Sequence, residues 1–511
     1  MERSEKLTAA DAAEHADAAA APLGGGRLIV VSNRVSADAH HAGGLAQAMH
    51  SALADVGGIW FGWSGRITER PLLHVERKQR IRFVTRDLNA ADHRHFYLEY
   101  ANRVLWPLLH GRLDLVAFER ESLQGYLRVN ARFADAIGRL ARREDSIWVH
   151  DYHLIPLASE LRRRGLENRI GFFLHVPVPP AQTLMSLPAH LEVLPLLAAY
   201  DLVGVQTAED AVNLREYFDY LRAARHVERI PRIESFPIGI DVDSIRTSTQ
   251  AGIGSADAAK LRADLAGRQM MLGVDRLDYS KGLPLRLRAL ERLLERQPEL
   301  HGEIAFVQVA APTRGGVPEY DALGDAVQAL AGRINGRYAQ PGWTPVQFLN
   351  RSFAREALCT LYRAARVGVV TPLRDGMNLV AKEYVAAQDA DDPGVLVLSQ
   401  FAGAARELEG ALIVNPFDPD ECADALCRAL TMTLPERRRR WREMMRAVEK
   451  GNVHAWREHF LEALAATRPR TRGAMRPAAP AAAGGRARAL VRTPSAVPAP
   501  VRPDAAGART P

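Results

Sequence analysis

Apolar residues in this chain gather into short, nearly unbroken runs instead of alternating with polar ones. The runs are RLIVVS (27–32), SIWVH (146–150), IGFFLH (170–175), LVGVQ (202–206), MMLGV (270–274), IAFVQVA (304–310), VGVVT (367–371) and GVLVLS (394–399). Runs of this length, rich in Val, Ile, Leu and Phe, predict strands buried on both faces, as in parallel sheets. Between them the period lengthens to that of amphipathic helices. LPLRLRALERLLERQ (283–297) is the clearest, with Pro284 in its first turn. The alternation predicts a βαβ rhythm. TSTQAGIGSADAA (247–259) lacks apolar periodicity and reads as a linker. It divides the body into two α/β halves that face each other across a cleft.

Ligands of open parallel sheets bind beyond the carboxyl ends of the strands, and the polar clusters of this chain fall there. VDRLDYSKG (274–282) ends one run and opens the next helix. Arg276 and Lys281 beside a helix N-terminus suit a phosphate or diphosphate, because free amides, the helix dipole and two cations act together. Each charge-assisted hydrogen bond contributes about 1.5–3 kcal/mol. Two solvated loop cations near Asp275 and Asp278 are the alternative. TPLRDGMNLVAKEY (371–384) is the second cluster. Asn378 reads as a helix N-cap, Gly376 lets the backbone approach a ligand, and the segment reads as a flexible loop. The amides of Met377, Asn378 and Leu379 then face an anionic group, and Asp375 points into the cleft. Glu383, about one turn into the helix, can accept from a vicinal diol such as a ribose. A Glu that merely suits the helix dipole is the alternative.

WVHDYHLIP (148–156) brings His150, Asp151 and His153 to a strand end. A metal reading is disfavoured, since the spacing is not that of a metalloprotease helix and no cysteine is near. Asp151 as a carboxylate for a sugar hydroxyl fits better. FFLHVPVPP (172–180) sets His175 after a buried run, with prolines holding the next segment extended; a structural histidine is the alternative. VSNRV (31–35) and AGGLA (42–46) place Arg34, then Gly43 and Gly44 opening a helix. Neither GxGxxG nor GxxxxGK[ST] is present there, which disfavours dinucleotide and P-loop readings. WFGWSG (60–65) and VLWP (104–107) supply Trp60 and Trp106, whose faces suit sugars but which are equally ordinary core residues. DVD (241–243) has the spacing of a metal-binding DxD but reads as a helix start or turn.

Composition narrows the classes further. The 511 residues suffice for two or three domains. The formal charge is +7, yet residues 468–511 hold nine Arg and one Asp, and residues 1–26 hold two basic and five acidic residues. The excess belongs to the tail, a poor basis for a nucleic-acid-binding fold. The Ala-rich head (1–26) and the Arg/Pro/Ala-rich tail (468–511) both read as disordered. Three cysteines without a CxxC pair, no apolar leader and no run of about 18 apolar residues point to a cytoplasmic chain outside the membrane.

In order along the chain, VVSNR…GGL, WFGWSG, VLWP…H, GYLRVN, WVHDYHL, GFFLHVP, RLDYSKG, GRINGRY and TPLRDGMNLVAKEY resemble the trehalose-6-phosphate synthase family over about residues 27–465. The resemblance implies an α/β GT-B fold of two facing, doubly wound Rossmann-like domains. They are an acceptor domain (27–250) and a nucleotide-sugar donor domain (251–450), with a C-terminal helix (451–467) packing back on the first. It implies a retaining transferase that moves glucose from UDP-glucose to glucose 6-phosphate, giving α,α-trehalose 6-phosphate, with no cofactor and no metal. By position, Arg276 and Lys281 hold the donor diphosphate, completed by the amides around Met377, Asn378, Leu379 and Val380. Glu383 takes the ribose, Asp375 and His175 bond the donor glucose, and Gly44 lies against the donor. Asp151 orients the reacting sugars, making Asp151, His175, Arg276, Lys281 and Asp375 the catalytic group. Arg34, Tyr97, Trp106 and Arg314 join Asp151 on the acceptor side. The resemblance also implies a homo-oligomer, dimer or tetramer, with no nucleic-acid or membrane partner. No phosphatase domain follows residue 467, so release of free trehalose is not expected. The rivals are a sister synthase using glycerol 3-phosphate or another nucleotide-glucose, and a non-catalytic sugar-phosphate sensor. A sensor would lack some of Arg276, Lys281, Asp375 and Glu383, and all four are present.

Overall fold

Each of the eight apolar runs forms a parallel strand, and six further strands complete two sheets. The computed structural model describes residues 26–35, 44–313 and 317–468. The expectations placed on the head, the tail and Arg314 lie outside them. The first sheet comprises β1 (Leu28–Arg34), β2 (Gly58–Ile67), β3 (Leu73–Lys78), β4 (Ile81–Leu88), β5 (Ser146–His150), β6 (Arg169–Phe173), β7 (Leu202–Val205) and β8 (Arg232–Ser235). Its order is β3-β4-β2-β1-β5-β6-β7-β8. The second comprises β9 (Gln269–Arg276), β10 (Ile304–Ala311), β11 (Val346–Leu349), β12 (Val367–Val370), β13 (Val395–Ser399) and β14 (Leu412–Val414), in the order β11-β10-β9-β12-β13-β14. Every pair is parallel except β3 with β4.

Burial on both faces explains the continuous runs. Ile29 and Val31 of β1 enter one core, while Leu28 and Val30 enter another. Val395 and Val397 of β13 face a third, while Leu396 and Leu398 join the second. Successive side chains point to opposite faces, so a strand covered on both sides needs apolar residues throughout. The second core takes residues from β1 and β5 and also from β9, β10 and β13, and so joins the sheets. The strand order reverses at β1/β5 and at β9/β12. Crevices open at such points, at the carboxyl ends of the strands.

Helix Val453–Ala465 packs under the first sheet. Phe460 stacks on Trp148 with ring centroids 4.7 Å apart. Gly171 of β6 and Gly204 of β7 leave it room, since a Cβ at either would lie 2.8 Å from the Phe460 ring.

The linker expected at 247–259 is helical instead, lying in helices Val242–Ile253 and Ala256–Leu265. Asp241 caps the first, accepting from Ser244 N at 2.9 Å, which makes DVD a helix start. The buried face of this helix is Val242, Ile245, Thr249 and Gly252. Two of those four are not apolar, and Gly252 is small because it lies against Thr360. The helical period was therefore hidden, and a division at 250/251 falls inside a helix. Among the described residues no helix is long and apolar enough to cross a membrane.

Candidate active site

Two strand ends of the second sheet build one wall. β9 delivers Asp275 and Arg276, the turn Tyr279–Lys281 follows, and Gly282, at φ 69°, starts helix Leu283–Arg296. β12 leads through Thr371 to Asn378, which caps helix Leu379–Ala387 from a left-handed conformation at φ 72°. Asparagine tolerates that region better than most residues. Its Oδ1 accepts from Ala381 N at 3.4 Å, and its Nδ2 donates to Asp375 Oδ2 at 3.0 Å. The same carboxylate oxygen pairs with the Lys281 ammonium. The amides of Met377, Asn378, Leu379 and Val380 donate to no group among the described residues. Free amides at a helix start are what an anion requires.

Residues 371–378 are not a flexible loop. Leu373 N donates to Ser280 O at 2.7 Å, Asp375 N to Phe401 O at 3.1 Å, Gly403 N to Asp375 O at 3.2 Å and Ala404 N to Met377 O at 2.9 Å. The glycine suggested adaptability, but the long-range bonds hold the segment on both sides. Its amides are thus preorganised and need not rearrange when charge develops beside them. Gly376 makes a different close approach from the one expected. A Cβ there would lie 2.1 Å from the His175 carbonyl oxygen, so the glycine is where this wall meets the first sheet. The three nearest atoms, in His175 and Val176, are all backbone, and no side chain can swing aside. Gly376→Ala is expected to lose about 1–3 kcal/mol of stability and about tenfold in turnover through displacement of the segment. Thermal unfolding and initial rates check this; parental values in both would mean the walls do not meet here.

The opposite wall begins at Arg34, the last residue of β1. The register of β1 against β2 shifts between Val31 and Arg34, an irregularity that re-aims a side chain. The exposed guanidinium stands 5.8 Å from the Trp63 ring centroid. Trp63 meets His93 at 5.2 Å and Tyr97 at 5.5 Å, and Tyr97 stacks on His153 at 6.0 Å. Tyr97 belongs to the π-helix His93–Leu105. Asn102 Nδ2 donates to its carbonyl at 2.8 Å, and helices of this wide type concentrate at functional sites. Trp106 follows. Its ring lies 4.0 Å from His110 and 5.3 Å from the Arg276 guanidinium, a second meeting of the two walls. Trp60, by contrast, is a core residue donating to Ser32 Oγ at 2.9 Å. Gly44 is the first residue of helix Gly44–Ala54.

β5 and β6 supply the base of the site. Asp151 sits at φ 77° and ψ 163°, a region that costs a residue other than glycine about 1–3 kcal/mol and that collects at functional sites. Its amide donates to Phe173 O at 2.8 Å, and its Oδ1 accepts from His175 N at 3.3 Å. His150 Nδ1 and His175 Nε2 are 3.0 Å apart. Burial pushes His175 down to about 3 and His150 well below the ordinary imidazole value, so both are neutral at neutral pH. His150 and His153 thus turn to different partners. Among the described residues no group of three or more His, Cys, Asp or Glu could hold a metal.

Three supporting groups have no role in the motif reading, although His110 is the histidine of VLWP…H. Arg286 is buried beneath the wall built by the second sheet, pairing with Asp275 and donating to Thr371 Oγ1 at 2.9 Å, Gln308 Oε1 at 2.9 Å and Lys281 O at 3.2 Å. A cation on the apolar stripe Leu283, Leu287, Leu290, Leu294 was the available signal. His110 donates from Nδ1 to Trp106 O at 2.8 Å, and burial lowers it to about 4. Tyr362 donates to Glu383 Oε2 at 3.1 Å.

Burial raises the Glu383 carboxyl above its ordinary value of 4.5, opposed by Arg355 and Tyr362. The folded chain therefore holds this proton more tightly than the unfolded chain. The contribution to stability is full below the ordinary value and is lost as pH rises through the raised one. Glu383→Gln removes that loss. Its Tm relative to the parent is expected to rise as pH increases above the ordinary carboxylate value, while the KM for the donor is expected to rise about tenfold. A pH-independent Tm difference would contradict the burial of this carboxyl.

The profile of glycosyltransferase family 20 matches residues 29–466. The trehalose-6-phosphate synthase of Enterobacter sp. (strain 638) is 48% identical over 459 residues, covering 87% of this chain and 96% of that protein. An α,α-trehalose-phosphate synthase (UDP-forming) from Burkholderia xenovorans, solved in complex with glucose-6-phosphate, superposes with a TM-score of 0.83 at 46% identity, covering 86% of this chain and all of that one. The E. coli trehalose-6-phosphate protein bound with UDP-2-fluoro glucose gives a TM-score of 0.82 at 47% identity, covering 87% and 100%. With two largely parallel sheets meeting at a cleft of this kind and a family match over residues 29–466, this chain belongs to glycosyltransferase family 20.

Proposed function

We propose that the chain transfers glucose from UDP-glucose to glucose 6-phosphate, forming α,α-trehalose 6-phosphate with retention at the donor carbon. The observation that carries this reading is the Lys281–Asp375–Asn378 chain beside four free amides, facing His175 and Asp151 across Gly376. A sugar diphosphate needs cations and amides at one end and hydroxyl partners at the other. Arg276, Lys281 and the amides of Met377, Asn378, Leu379 and Val380 take the diphosphate, and Glu383 takes the ribose. Asp375 and His175 bond the donor glucose, with Gly44 against the donor. Arg34 and Arg314 take the acceptor phosphate, with Tyr97 and Trp106 lining that pocket and Asp151 orienting the sugars. The first domain holds the acceptor and the second the donor. No cofactor takes part, and the working form is a cytoplasmic homo-oligomer.

The bond from the donor C1 to the diphosphate oxygen breaks, and the acceptor hydroxyl oxygen bonds to C1. The proton of that hydroxyl passes to the departing diphosphate on the same face. Negative charge grows on the leaving oxygens, where Arg276, Lys281 and the amides are aimed. A double displacement is disfavoured because both carboxylates are engaged: Asp375 accepts from Lys281 and Asn378, and Asp151 from His175 N. Trapping a glycosyl adduct on Asp151 or Asp375 would overturn the same-face route. The substrate assignment is tested with a panel of UDP-, ADP- and GDP-glucose against glucose 6-phosphate and glycerol 3-phosphate. The highest kcat/KM is expected for UDP-glucose with glucose 6-phosphate, and a preference for another pair would replace the assignment.

A further inference from the structure

Beneath the sugar-facing residues lies a buried pair of histidines whose partners are unequal. His150 is fully buried at the end of β5, and its Nδ1 lies 3.0 Å from His175 Nε2. The other nitrogen of His150, Nε2, is sealed from solvent with no partner among the described residues. Around it stand Trp148, at a ring distance of 4.5 Å, and Trp456 of the helix Val453–Ala465, at 6.2 Å. The indole nitrogens of both are also buried without partners among the described residues, and an indole N–H is a donor only, so neither offers an acceptor. His175 Nδ1 bonds no group among the described residues and is not sealed in this way.

Two proton arrangements satisfy the 3.0 Å contact. In one, His175 donates from Nε2, and neutral His150 must carry its proton on Nε2. That leaves an N–H buried with nothing to accept it, which is rare in folded proteins because the group loses water without replacement. In the other, His150 donates from Nδ1 and keeps Nε2 bare. No buried N–H of the pair is then orphaned, and neutral His175 carries its proton on Nδ1. Which ring nitrogen is protonated follows from the bond the other one makes.

We propose that His150 is a positioning residue that fixes His175 as the neutral Nδ1–H tautomer, with Trp456 of the C-terminal helix holding His150 in place. The functional part rests on the reading of His175 as a donor-glucose ligand. A transition state with oxocarbenium character carries positive charge on the sugar ring. A neutral imidazole can donate to a sugar oxygen there without adding a like charge, and locking one tautomer makes it a donor through Nδ1. The C-terminal helix thereby becomes part of the site through Trp456, although its own residues lie behind the two histidines.

The tautomer is read directly from two-bond 1H–15N spectra of the full chain labelled with 15N-histidine, with the His175 signals assigned by their loss in His175→Asn. A protonated Nδ1 and bare Nε2 are expected on His175. A protonated Nε2 on His175 would overturn the proposal whatever the enzyme transfers. Kinetics then test the consequence. His150→Phe removes the donor and is expected to lower kcat by about tenfold, with both KM values within about threefold of the parent. His150→Asn places an amide N–H near the position of Nδ1 and is expected to recover kcat to within about threefold. Equal loss in the two variants, or no loss in His150→Phe, would overturn the positioning role. Should His150→Phe fail to fold, the spectra of the parent still decide.

Discussion

Lys281→Ala is expected to lower kcat/KM by about 100-fold, equivalent to about 3 kcal/mol of transition-state stabilisation. The Lys281 side chain is 11% exposed and Asp375 is 15% exposed, so water screens their charges little. The ammonium stands between Asp375 and the start of helix Leu283–Arg296, beside the free amides of the next helix. Charge on the leaving diphosphate is larger in the transition state than in bound UDP-glucose, so the loss falls more on kcat than on KM. Alanine would also leave the Asp375 carboxylate without its cation, which in the proposed donor site adds repulsion to the lost attraction. Steady-state rates with both substrates varied check this. A loss below threefold would place Lys281 away from the diphosphate.

Arg286→Ala is expected to destabilise the fold by about 3–5 kcal/mol. Arg286 and Asp275 are both within 2% of complete burial. Removing the guanidinium leaves a buried carboxylate with, among the side chains of the described residues, Gln308 Nε2 at 3.3 Å to answer it. It also strips the donors from Thr371 Oγ1 and Lys281 O, which tie the ends of β9 and β12 together. The cause is testable separately from simple loss of packing. Asp275→Asn in the Arg286→Ala background removes the uncompensated charge and is expected to recover part of the stability. Urea unfolding of both variants measures the difference. A double variant no more stable than Arg286→Ala would assign the loss to packing alone.

What sequence made legible followed from local patterns. Strands covered on both faces, such as VLVLS in β13, declare themselves by composition, and the polar residues after them mark the crevice. β3, an antiparallel edge strand with the sequence LHVERK, has four exposed residues of six and carries no such signal. β8 and β14 are four and three residues long, too short for a period to register. Residues 247–259 read as a linker because Thr249 and Gly252 fill inner positions of the helix Val242–Ile253. Long-range partners were beyond local reading. Gly376 suggested a flexible loop, yet Ser280, Phe401, Gly403 and Ala404 pin that segment. The sequence placed His150 and His175 at strand ends but not against each other, since only the β5–β6 register brings them together. Arg286 could be seen as a misplaced cation, but its carboxylate partner could not be named.

Product analysis after incubation with UDP-glucose and glucose 6-phosphate tests the central claim most directly. UDP release is followed with and without the acceptor, and the linkage is read by mass and NMR. The account predicts acceptor-dependent UDP release and a disaccharide phosphate whose two anomeric carbons are joined α,α-1,1. A β configuration at the donor carbon would contradict the same-face mechanism, and absence of any disaccharide phosphate would contradict the transfer itself.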